Sequence, residues 1–253
     1  MKKLFLFFLL VTMSTFSFAQ EAPVSSFAKN KIVIDGKPVE WNLPLKHYDN
    51  TTRLFFDFEN DATHLYLCFQ AKDEMNGEKI SKAGMKIILS SKINGKHKSV
   101  INYPLPAPKT SENDDEITRD PLATRSDNHA TFLAQDSLME VKGFAIQSGT
   151  TSSKDTAGIH AAINWDTSKT LTYEIAIPLK EMFGENYDIK DLSKEISLEV
   201  VINAVPYGNS PKFNRTQSSS GSEESTEDRQ MQAKRSFMLQ KAQLKERFTL
   251  ARP

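Results

Sequence analysis

Cysteine is nearly missing from this chain. Cys68 is the only one in 253 residues, so no intramolecular disulfide can form and no lipid-accepting cysteine follows the N-terminal apolar run. Glycine is also sparse. There are ten, none in a GxGxxG or P-loop arrangement, which removes the usual phosphate-cradling loops. Neither sign of charge is in excess: 32 Lys and Arg balance 32 Asp and Glu, without the basic footprint of a nucleic-acid binder. Five histidines, His47, His64, His97, His129 and His160, are scattered, with no HExxH and no pair at helical spacing. GxSxG is absent as well. A glycosidase acid pair is a spatial arrangement that a sequence does not display, so hydrolysis has no signature here and a non-enzyme is expected.

Long apolar runs are missing after the first few residues. LFLFFLLVTM (4–13) follows Lys2 and Lys3 and precedes Ser17-Phe18-Ala19, the layout of a signal peptide cleaved near Ala19, before Gln20. That run is too short for a normal transmembrane helix, and no later segment approaches about eighteen consecutive apolar residues. The expectation is an exported chain, periplasmic or secreted, with no membrane span in its mature form. Loss of Lys2 and Lys3 leaves 30 basic against 32 acidic residues, a net charge of −2.

What the sequence has in quantity is period-two alternation. In TRLFFDF (52–58), Leu54, Phe56 and Phe58 share a face; in THLYLCFQA (63–71), Leu65, Leu67, Phe69 and Ala71 do the same. ENDA (59–62) between them reads as a hairpin loop. Further strands are expected at 31–34, 84–90, 98–103, 138–146, 159–165, 171–177, 196–205 and 247–251. Many short strands with polar turns and no βαβ rhythm predict one all-β domain over 20–253, a two-sheet antiparallel β-sandwich.

Three stretches break the pattern. Residues 104–128 are rich in proline and charge and read as a long polar loop; within them ENDDE (112–116) lacks the spacing and glycine of an EF-hand. Residues 207–226 are polar and Gly/Ser-rich, a flexible linker. Residues 227–247 hold good helix formers behind a cap at Ser225 and Asp228, with Ala233, Phe237, Leu244 and Phe248 as a thin apolar stripe. They predict an inserted C-terminal helix, either resting on the sandwich or docking to a partner in the cell envelope.

Aromatics on a β scaffold suit a ligand that offers an apolar ring face and several hydroxyls, because they supply area with few rotatable bonds. The candidates are Trp41, Tyr48, Trp165 and Tyr207, with Asn42, Asn164, Asp166 and Asn203 near them in sequence. Each also has a plain packing role open to it. Trp165, Asp166, Asn203 and Tyr207 are the expected binding set, for carbohydrate or another small ligand.

Five blocks resemble family 9 carbohydrate-binding modules. IVIDGKPVEWN (32–42) is similar to their opening stretch, and TRLFFDFENDATHLYLCFQAKDE (52–74) to the paired strands that follow. LTYEIAIPLKEMFG (171–184), ISLEVVINAVPYG (196–208) and ERFTLARP (246–253) resemble later strands, in the right order. The resemblance extends to exported Bacteroidetes-type proteins built from one such domain. It implies a two-sheet sandwich related to DOMON domains, sugar held between two tryptophans, and calcium as a structural ion. Trp41 falls on the opening motif and so belongs to the fold, which leaves Trp165 for the site. The DOMON relation implies a further alternative, haem on an axial His or Met.

Overall fold

The structure is a computed structural model that describes residues 22–91, 97–105, 138–188, 192–205 and 226–252. The expected signal peptide, ENDDE, Tyr207, nearly all of the 104–128 loop and the 207–226 linker lie outside the described residues. Twelve strands among the described residues form two sheets. The first contains β1 (Ser26–Phe27), β3 (Leu54–Asn60), β4 (His64–Ala71), β10 (Leu171–Pro178) and β9 (His160–Trp165), in that spatial order. A short strand, β2 (His47–Asp49), also pairs with β3. The second sheet runs β12 (Ala242–Phe248), β11 (Ile196–Ile202), β5 (Met85–Ser91), β6 (His97–Tyr103), β7 (Leu138–Lys142) and β8 (Gly149–Ser152). All pairings of these strands are antiparallel except β1 with β3, so the fold is the expected all-β sandwich.

Alternation dictates what lies between the sheets. Leu54, Phe56 and Phe58 of β3, Leu65, Leu67 and Phe69 of β4, and Tyr173, Ile175 and Ile177 of β10 face inward together. They meet Ile87 and Leu89 of β5, Leu198 and Val200 of β11, and Phe248 of β12. Phe58 and Phe248 stack at 4.2 Å between ring centroids and join the two layers. Full burial of such side chains stabilises by about 1.5–3 kcal/mol each, the main force holding the sheets together.

Several elements depart from the sequence expectation. KIVI (31–34) forms no ladder. Ile32 and Ile34 are buried while Val33 is exposed, so the alternation serves packing on the outer face of the first sheet, beside Tyr66, Cys68 and Ala176. The strand expected at 138–146 stops at Lys142, because the amides of Ala145, Ile146 and Gln147 donate to Glu181 instead of to a strand. The helix expected over 227–247 is shorter. Three helices occur among the described residues: α1 (Glu74–Ala83), α2 (Leu179–Phe183) and α3 (Thr226–Leu239). After α3 the chain becomes β12, so the closing strand begins at Ala242 rather than at 247, and it ends at Phe248. Helix α1 was not expected at all; Asp73 caps it by accepting from the Met75 amide.

Candidate functional site

The structure sorts the candidate aromatics by what their rings touch. Trp41 is 5% exposed and lies in the small outer core with Ile32, Ile34 and Cys68. Its indole N–H donates to Glu174 Oε1 at 2.9 Å, while the amides of Gly36 and Asp35 donate to Oε2 at 2.8 and 3.2 Å. Glu174 is fully buried, and that burial pushes its carboxyl up to about 7, against the lowering effect of its three donors. Gly36 has φ +78°, and a Cβ there would lie 2.5 Å from Asn164 Cβ, so only glycine lets this segment come so close to β9. Trp41 and Glu174 therefore fasten the 35–41 segment to the sheet.

Trp165 shares the inward face of β9 with Ala161 and Ile163 and is half-buried against the main core. Its ring lies flush with α1, where a Cβ on Gly77 would meet Cη2 at 2.3 Å. Asp166 folds the following turn: Oδ1 accepts from the amides of Ser168 and Thr170, both at 2.8 Å. Lys169 in the same turn reaches Glu74 at the start of α1 at 2.8 Å. Asn203 sits at the other end of α1, donating to the Ala83 carbonyl at 3.0 Å and to Asn102 Oδ1 at 3.3 Å. Three of the four expected binding residues thus gather around one helix of this same chain; the fourth, Tyr207, lies outside the described residues.

Tyr48 is different. It is 49% exposed, on the edge strand β2, and its ring lies 4.7 Å from that of Phe55. Register continues the row across the outer face of the first sheet: Tyr48 opposite Phe55, Phe55 opposite Gln70, Gln70 opposite Thr172, and Thr172 opposite Asn164. Two aromatic rings therefore lead into amide and hydroxyl groups along one line. Gln70 Nε2 and Thr172 Oγ1 are 3.4 Å apart and buried, whereas Asn164 is half-buried. Lys72, exposed, places Nζ 4.3 Å from the centre of the Phe55 ring.

No family profile matches this chain, and no characterised protein matches it in sequence. One solved structure that it is similar to is a family 9 carbohydrate-binding module from Caldicellulosiruptor kristjanssonii in complex with glucose. Identity is 12%, over 92% of this chain and 97% of that one, with a TM-score of 0.39. A likeness of that degree decides neither the fold nor the ligand of this chain.

Cys68, Asp57 and Asp61 are held within the fold. Burial holds the Cys68 thiol well above its usual range, with the nearby Glu174 and Asp57 carboxylates adding to it, and it is fully enclosed. Asp57 is held by Lys46 at 3.2 Å. Asp61 folds its hairpin, accepting from Thr63, His64 and Tyr66. Among the described residues no group of three or more His, Cys, Asp or Glu could hold a metal ion. Asp57 and Asp61 face ammonium, N–H and O–H donors, so these two carboxylates do not fit the calcium implied by the family resemblance. His47 stacks on Phe56 on the inward face while His64 lies on the outer one, so these two histidines do not face each other as an axial pair.

Phe55, Gln70, Lys72 and Thr172, which share this row or border it, were not singled out from the sequence. A signal for Phe55 was present. In LFFDF it is the apolar residue out of phase with Leu54, Phe56 and Phe58, so alternation already turned it away from the core.

Proposed function

We propose that this protein is a non-catalytic binding module for carbohydrate, and that the sugar stacks on Tyr48 at the outer edge of the first sheet. The observation that carries this reading is the exposed Tyr48 ring, set beside Phe55 and in register with Gln70, Thr172 and Asn164. A pyranose presents C–H groups on one face and hydroxyls around its rim. The exposed Tyr48 ring, with Phe55 beside it, matches the apolar face, and its two χ angles cost little entropy to fix, while Gln70 and Thr172 are buried and pair with each other. Buried Glu174 and Cys68 serve packing and a hydrogen-bonded clamp, so they are not offered to a substrate. The test is titration calorimetry against a panel of oligosaccharides, repeated with Tyr48→Ala. The expected result is binding by the wild type and a loss of at least about ten-fold in the variant, with an unchanged thermal midpoint. No heat with any glycan, or full affinity in the variant, overturns the reading.

Export belongs to the same proposal. None of the described helices is long and apolar enough to cross a membrane. The N-terminal Lys2-Lys3 and apolar run supply the signal, and the polypeptide recovered outside the cytoplasm should begin at Gln20. Recovery of the intact N-terminus in the cytoplasmic fraction alone would exclude it.

A further inference from the structure

We infer that the saccharide held at this face carries a carboxylate, as in a uronic-acid chain, and that Lys72 is the residue that selects it. The inference rests on the carbohydrate reading and adds the charge of the ligand. Phe55 lies between the two exposed groups, 4.7 Å from the Tyr48 ring and 4.3 Å from Lys72 Nζ. A ring stacked on Tyr48 thus has an ammonium one side chain away, on the same face of the sheet.

The charges around this patch single out Lys72. Lys46, two residues before Tyr48, is spent on buried Asp57 at 3.2 Å and on Ser26 Oγ at 2.6 Å. Arg53, two before Phe55, is paired with Asp73 at 3.0 Å and turned onto Phe237 at 5.1 Å. Asp49 lies on the face opposite Tyr48, with His47, and its carboxylate accepts from both the amide and the hydroxyl of Thr52. Among the described residues no carboxylate pairs with Lys72; its contact is the Phe55 ring. An ammonium over an aromatic face keeps its charge and has lost part of its freedom, so it is already ordered for an anion. A neutral sugar would use the aromatic pair and offer that cation only hydroxyl acceptors, weaker than a carboxylate. A uronate stacked on Tyr48 uses both.

The experiment compares tetragalacturonate, its fully methyl-esterified form and cellotetraose, titrated into the full-length mature protein. Methyl esterification removes the charge and leaves the ring and linkage in place. Tetragalacturonate should bind at least about ten-fold more tightly than its ester, and more weakly as salt is raised. Lys72→Gln should abolish that preference while retaining the binding of the ester. Equal binding of acid and ester, or binding of cellotetraose alone, overturns the inference and leaves the carbohydrate reading standing. Binding of none of the three overturns the inference, and extension of the panel to other neutral glycans then decides the carbohydrate reading separately. An acid preference that survives Lys72→Gln removes Lys72 from its assigned role.

Discussion

At the level of single residues, Gly77 has a role that neither its helix nor its sequence neighbours announce. Glycine inside a helix costs about 1 kcal/mol relative to alanine, so by propensity alone Gly77→Ala should stabilise α1. Contact decides the other way. The added Cβ would lie 2.3 Å from Trp165 Cη2 and 2.8 Å from Cζ3, and a half-buried indole cannot yield without shifting in the core it packs against. Overpacking of that kind costs about 1–3 kcal/mol. Gly77→Ala should therefore lower the urea midpoint and alter the Trp165 contribution to fluorescence, Trp41 being shielded in the outer core. An equal or higher midpoint would show that the ring moves freely. Residue identity alone also leaves open what a polar side chain is bonded to. Asp166 and Asn203 have the chemistry of ligand contacts, but backbone groups in a turn and at a helix end claim them first.

At the level of elements, alternation was a faithful guide in β11, where buried and half-buried residues alternate, and in β3, β4 and β10, whose large apolar residues of one phase fill the space between the sheets although both faces are buried. The error at the C-terminus has a geometric cause. Leu244 and Phe248 are four residues apart, a spacing that satisfies a helical stripe and a strand face equally. Pairing with β11 settles it, with Leu244 opposite Val200 and Phe248 opposite Ile196. The preceding α3 is a helix held by its last turn: Met238 is buried, and the Phe237 and Gln240 carbonyls accept from Lys79 of α1. A cation at a helix C-terminus completes the unpaired carbonyls there, and Phe237 lies between Lys79 and Arg53. That docking depends on a lysine 158 residues earlier in the chain, which no local pattern can reveal. The edge carrying Tyr48 was half legible. Its ring was a candidate, but its exposure depends on a register that only the assembled sheet defines.

For the whole molecule, the decisive feature is that the first sheet is covered on both faces along β4 and β10, which leaves Tyr48 exposed at the β2 edge. One face packs on the second sheet; the other is closed by the segment from Ala28 to Leu45, with Glu174 as its anchor. This double burial places a carboxylate where water cannot reach, near Asp35 and Cys68, and it makes global stability depend on pH. An isolated Glu titrates near 4.5, whereas Glu174 in the fold titrates at about 7. Between those values the folded chain binds a proton that the unfolded chain has released, so stability falls as pH rises from about 4.5 to about 7 and is level above that. The difference amounts to roughly 3 kcal/mol. Glu59, also raised by burial, acts in the same direction; His64 and His160, lowered by burial, act in the opposite one. Comparison with Glu174→Gln isolates the one group. The variant keeps the volume and has no charge to bury, so its unfolding free energy should lack the decline that the wild type shows between pH 4.5 and 7. Parallel pH profiles for the two proteins would mean that Glu174 titrates as an ordinary carboxylate and that the 35–41 segment is not its shield.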